Sequence, residues 1–109
     1  MEVSWNNWAL FRFGQILNCE YVDETNARAA EVLKLVSRVV NKEEGRLRQS
    51  EREAVAAFIL AGIECAAKKN KVACNVTFED CFGLDHLLPK VLESFVAQVP
   101  KESSEDSGK

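Results

Sequence analysis

The most reactive side chains in this 109-residue chain are four thiols and one imidazole: Cys19, Cys65, Cys74, Cys81 and His86. Thiolates and imidazole nitrogens are good zinc ligands, and a thiol beside an imidazole base is the usual starting point for a nucleophilic mechanism. Cys65, Cys74, Cys81 and His86 follow one another as C-x8-C-x6-C-x4-H. A catalytic thiol also needs its base oriented by a third group, and no nucleophile elbow, glycine-rich phosphate loop or paired acid motif lies near Cys74 or Cys81. Glu64, the lone charge between Ala54 and Ala67, reads as an edge residue or one half of a hydrogen-bonded pair rather than a general base. No catalytic residue is assigned, and the chain is expected not to be an enzyme.

The Cys and His spacing superficially resembles a CCCH zinc finger. It departs from that family in its later spacings, it lacks a C-x2-C hook, and Cys65 falls inside an apolar helix instead of a metal-held loop. The expectation is core or half-buried thiols, with no metal and no cofactor. Two disulfides are conceivable on paper, but a secreted disulfide framework goes with an export signal and a poor core. Met1-Glu2-Val3-Ser4-Trp5 has no basic flank or long apolar run, and the most apolar stretch, 54–67, is shorter than the roughly 20 residues that span a bilayer. Reduced cysteines in a cytoplasmic or nuclear setting follow, with no membrane partner.

Charge supplies the next candidate. The net charge of −3 conceals three zones: residues 1–24 carry one base and four acids, 25–72 ten bases and six acids, 73–109 three bases and seven acids. On a helix, Arg28, Lys34, Arg38 and Lys42 fall within about a third of the circumference. Arg46, Arg48 and Arg52 follow in the next loop and helix start. Such a row can track a phosphate backbone without reading bases, and its affinity would fall steeply with salt. Arg28, Lys34, Arg38, Lys42, Arg46 and Arg48 are therefore the residues of an alternative reading, a backbone-directed RNA or DNA binder. Glu31, Glu43, Glu44 and Glu51 interrupt the row, and a solvated face with Glu31 paired to Lys34 accounts for the same pattern.

Aromatic residues supply the last. Trp5, Trp8, Phe11 and Phe13 crowd into nine residues, and Trp and Phe are enriched at interface cores. Core packing explains part of such a cluster. Any part left exposed would be covered by a partner, most simply a second copy.

The elements that must position these groups read as helices. Ser4 can cap a first segment from Trp5 to about Asn18, interrupted by Gly14. Asp23 or Thr25 can open a second, with Ala29, Val32, Leu33, Val36, Val39 and Val40 on one face, ending near Asn41 before a polar surface loop around Gly45. Ser50-Glu51-Arg52-Glu53 forms a capping box, so a central helix is predicted from Glu51 to Lys69 with Asn70 as its C-terminal cap. Its apolar residues cover nearly every side, and Ala57, Ala61, Gly62, Cys65 and Ala66 leave room for close neighbours. Thr77-Phe78-Glu79-Asp80 opens a short turn closed by Gly83. A last helix, starting at Asp85 or Leu88 with Pro89 in its first turn, turns Val91, Leu92, Phe95, Val96 and Val99 to the core.

The run Val72-Ala73-Cys74-Asn75-Val76-Thr77-Phe78-Glu79-Asp80, with Leu84 to Phe95 after it, resembles the second loop and third helix of histone-fold proteins over less than half of the chain. The central helix is about two turns shorter than that family uses, so the family is not assigned. The expected fold is an all-α bundle of four main helices plus a short helical turn, self-associating, with a single domain over 1–99 and a disordered acidic, Ser-rich tail over 100–109. The expected function is a small interaction or regulatory subunit, homodimeric or docked on another protein, with Trp5, Trp8, Phe11 and Phe13 as the contact.

Overall fold

The computed structural model describes residues 2–42 and 47–98. The expected tail, the loop around Gly45, Arg46 and Val99 lie outside these residues. Five α-helices run in the order α1 (Asn7–Ile16), α2 (Val22–Val40), α3 (Gln49–Lys69), α4 (Phe78–Cys81) and α5 (Leu88–Gln98), with a 3-10 turn over Asp85–Leu87. No strand occurs among the described residues. The fold is all-α, as its hydrophobic periodicities predict.

α3 is the centre of the bundle, and α1, α2, α4 and α5 all pack against it. Every residue from Ala54 to Ile63 is buried, together with Cys65 and Ala66. A helix that is apolar all round can satisfy itself only by being surrounded. Its small residues set how near the others come: a Cβ on Gly62 would lie 2.9 Å from Val91 Cγ1, so α5 sits directly on the α3 backbone. No helix among the described residues is long and apolar enough to cross a membrane.

The helix starts differ from expectation in instructive ways. α1 begins at Asn7, and its cap is Asn6, whose Oδ1 accepts from the Ala9 N–H at 3.0 Å. Ser4 instead ties the N-terminal strap to α3: its N–H donates to the Gly62 carbonyl at 3.0 Å, and its hydroxyl accepts from Lys69 Nζ. α3 begins two residues before the predicted Glu51. Glu51, not Glu53, reaches back to accept from the Arg48 N–H at 2.8 Å, and the Ser50 carbonyl accepts from Arg28 Nη2 at 2.9 Å. Thr77 caps α4 as predicted, its Oγ1 accepting from the Asp80 N–H while Asp80 accepts from the Thr77 N–H.

α2 is turned a few tens of degrees from the predicted orientation. Thr25, Ala29, Val32, Leu35 and Val39 are its buried residues, while Leu33 and Val40, predicted for the core, are exposed. The apolar stripe of α2 is wider than the face that the bundle covers, so burying Leu35 at one edge leaves Leu33 and Val40 outside at the other. Val96 of α5, also predicted inward, is exposed.

Candidate functional site

The crowded aromatic segment is divided by the fold. Trp5 and Phe13 are core residues: Trp5 stacks on Phe58 with ring centroids 4.4 Å apart and meets Phe13 and Phe95 edge-on at 6.3 and 5.6 Å. Neither offers area to a partner, which corrects the expectation that all four aromatics form one contact. Trp8 is half-buried, with Lys68 Nζ 5.2 Å above its ring. Phe11 alone of the four faces solvent, at 61% exposure.

Phe11 is not isolated. α1 ends in a Schellman turn, with Leu17 as its cap, Asn18 left-handed at φ 60°, and the Asn18 and Cys19 N–H groups donating to the Gln15 and Gly14 carbonyls. That turn brings Cys19, Glu20 and Tyr21 back beside α1 and delivers the chain into α2. The Glu24 carboxylate fixes the junction, Oε1 accepting from the Glu20 and Tyr21 N–H groups at 2.8 and 2.9 Å. α1 and α2 meet at Gly14, where a Cβ would collide with the Thr25 hydroxyl and sit 3.1 Å from Thr25 Cγ2. Above this close approach lies a groove of about 320 Å³ whose walls include Leu10, Phe11, Cys19, Tyr21 and Val22. Tyr21 and Val22, 64% and 71% exposed, stand on the lip with Phe11.

The rest of the molecule shows how unusual this is. Seven large apolar side chains are exposed among the described residues, and five of them, Phe11, Tyr21, Val22, Leu33 and Val40, belong to α1, α2 and the turn between them. Leu33 and Val40 follow Val22 at intervals of eleven and seven, which places all three within about 20° on the wheel of α2. Beyond the groove, Leu33 and Val40 stand on the same flank of α2 as Val22, with exposed Asn26 and Ser37 between them. Spacing alone does not single out Tyr21, Val22 or this flank; the surplus width of the α2 stripe was the one available signal.

Three of the basic residues, Arg28, Lys34 and Arg38, line one groove. Arg28 is engaged by Glu31 at 2.7 Å and by the Ser50 carbonyl, so Glu31 pairs with Arg28 and not with Lys34. Lys34 and Arg38 line a shallow groove of about 560 Å³ together with Arg28, Glu31 and Glu51, and make no ion pair among the described residues. Lys42 and Arg48 are exposed beyond the ends of α2 and α3.

The thiols and the imidazole differ in exposure. Cys65 and Cys81 are buried, Cys74 and His86 exposed and Cys19 intermediate. Burial is the first cause that pushes the Cys81 thiol up to about 12, with Asp80 adding to it, so Cys81 stays protonated and weakly nucleophilic. Among the described residues no group of three or more His, Cys, Asp or Glu could hold a metal ion, and no hydrogen bond joins His86 to a thiol.

Glu64 has a partner in Arg12, 52 residues away: Nε donates to Oε1 at 2.6 Å and Nη2 to Oε2 at 3.3 Å. The carboxylate bond raises the Arg12 pKa above its ordinary value, and the pair latches α1 to α3. Glu64 is thus a structural clamp. Comparison with known proteins finds no matching family model, no matching curated relative and no matching solved structure.

Proposed function

We propose that this chain is a non-enzymatic interaction module that docks on another protein through the α1–α2 groove. One observation carries the reading: Phe11, Tyr21 and Val22, each more than 60% exposed, surround one apolar groove in a bundle whose other aromatics are buried or half-buried against the core. Exposed apolar area gathered in one place costs solubility and is kept where a partner covers it. The rigid floor at Gly14 and Thr25 and the cross-braced turn at Glu24 keep the groove preformed, which lowers the entropy lost on binding. The protonated, buried Cys81, and the lack of a hydrogen bond from His86 to a thiol among the described residues, also favour a non-enzymatic role.

The test places a photo-activated cross-linking amino acid at position 11 and, as control, at exposed Lys90 of α5, in extracts of the cells that make the protein. The expected result is a discrete adduct from position 11 that disappears in a Val22→Glu background, with none from position 90. An adduct of twice the chain's mass would identify the partner as a second copy. Equal adducts from both positions, or none from position 11, would overturn the reading.

A backbone-directed nucleic-acid contact is the second reading, favoured by Lys34 and Arg38, which line one groove without ion pairs among the described residues. Glu31 and Glu51 in that groove weaken it. Titration of labelled duplex and single-stranded RNA and DNA, with the chain and with Arg38→Ala/Arg48→Ala, tests it. Salt-sensitive binding lost in the double variant supports the reading, and no binding at low salt removes it.

A further inference from the structure

We infer that the groove's occupant is an amphipathic helix of a different protein, carrying lysine or arginine beside its apolar anchors; the inference rests on the docking reading above. Three carboxylates, Glu20, Asp23 and Glu24, lie within five residues on the lip and in the first turn of α2, and all three are exposed. Among the described residues no ion pair joins a base to any of them. Arg12, the only base in residues 1–24, is committed to Glu64, and the next, Arg28, is committed to Glu31 and the Ser50 carbonyl. The N-terminus of α2 contributes roughly half a positive charge, too little to cancel three negative ones. The groove is therefore apolar inside and acidic at its edge.

That edge discriminates between occupants. A second copy set groove against groove across a twofold axis would bring six carboxylates together, and like charges placed opposite each other suppress that pairing. An acidic or neutral peptide gains only the apolar contact. A partner with cations beside its anchors gains both contact and attraction, and is steered toward the groove as it approaches. The shared flank of α2 explains the helical form. Val22, Leu33 and Val40 extend from the groove along one flank of α2 for about 27 Å at 1.5 Å per residue. A helix laid along that line reaches the groove with one end and Val40 with the other, matching its own apolar residues to the ridge at i, i+3, i+4 and i+7 spacing.

The experiment selects a displayed library of random 18-residue peptides against the full chain and removes clones that still bind Phe11→Asp/Val22→Glu. The expected survivors carry apolar residues at helical spacing with Lys or Arg adjacent, and become helical on binding. Their affinity falls about tenfold in Glu20→Gln/Asp23→Asn and falls further as salt is raised, as screened surface charges require. Survivors without basic enrichment, bound equally by the neutralised variant, would overturn the charge inference and leave the groove reading standing. If no clone depends on Phe11 and Val22, the docking reading falls and this inference falls with it. Unchanged circular dichroism of both variants separates lost binding from lost folding.

Discussion

Two aromatic clusters grow from nearly the same stretch of chain and meet opposite fates. Trp5 and Phe13 join Phe58 and Phe95 in a closed nest of stacked and edge-on rings against α3. Phe11, two residues from Phe13, joins Tyr21 and Val22 on an open lip. Phe11 and Phe13 are the same residue type; the difference is the side of α1 on which each ring stands. Hydrophobicity therefore measures how much area wants cover, and the packing of α1 on α3 decides whether the chain supplies that cover or a partner must.

The sharpest way to break this contrast is to remove one member from each cluster. Trp5→Ala should destabilise the fold by about 3–5 kcal/mol in chemical denaturation, because a large ring leaves a cavity among packed neighbours. That is a large share of the roughly 5–15 kcal/mol available to a domain of this size. Gly14→Ala comes next. Helix propensity favours the change by about 1 kcal/mol, but the new Cβ meets the hydroxyl, Cγ2 and Cβ of Thr25 together, so rotating that side chain does not clear it. A net loss of about 1–3 kcal/mol is expected, recovered in large part by adding Thr25→Ala.

Arg12→Ala should cost about 1 kcal/mol, a figure kept low because both partners are partly solvated and water screens them. Thermal unfolding with Glu64→Gln as the companion variant measures it. The smallest effect belongs to Phe11→Ser, which should stay within about 0.5 kcal/mol of the parent while abolishing the position-specific contacts of the groove. A loss comparable to that of Trp5→Ala would make the lip part of the core and end the comparison.

Much of the fold was legible in the residues. The run from Ala54 to Ala66 has no polar face, so α3 had to be central, and Thr77 with Asp80 specifies a helix start through bonds between residues three apart. The start of α3 was misplaced because Arg48-Gln49-Ser50-Glu51 and Ser50-Glu51-Arg52-Glu53 both offer a Glu three residues after a cap position. The Ser50 carbonyl is engaged by Arg28 from another helix, a contact that local sequence does not contain. The candidate site was less legible: Phe11 was included among four aromatics, but nothing in the spacing separated it from Trp5 or joined it to Tyr21 and Val22.

What the sequence by itself determined was local: helix identity, caps, the apolar central helix and the surplus of aromatic area near the N-terminus. These follow from bonds and periodicities spanning a few residues. Only the tertiary structure decided which side of each helix is covered, because that depends on how closely backbones approach at Gly14 against Thr25 and Gly62 against Val91, and on the long-range clamp from Arg12 to Glu64. Those contacts set how α1, α2 and α5 sit on the rest of the bundle. That arrangement, and not the composition, leaves Phe11, Tyr21, Val22, Leu33 and Val40 facing outward.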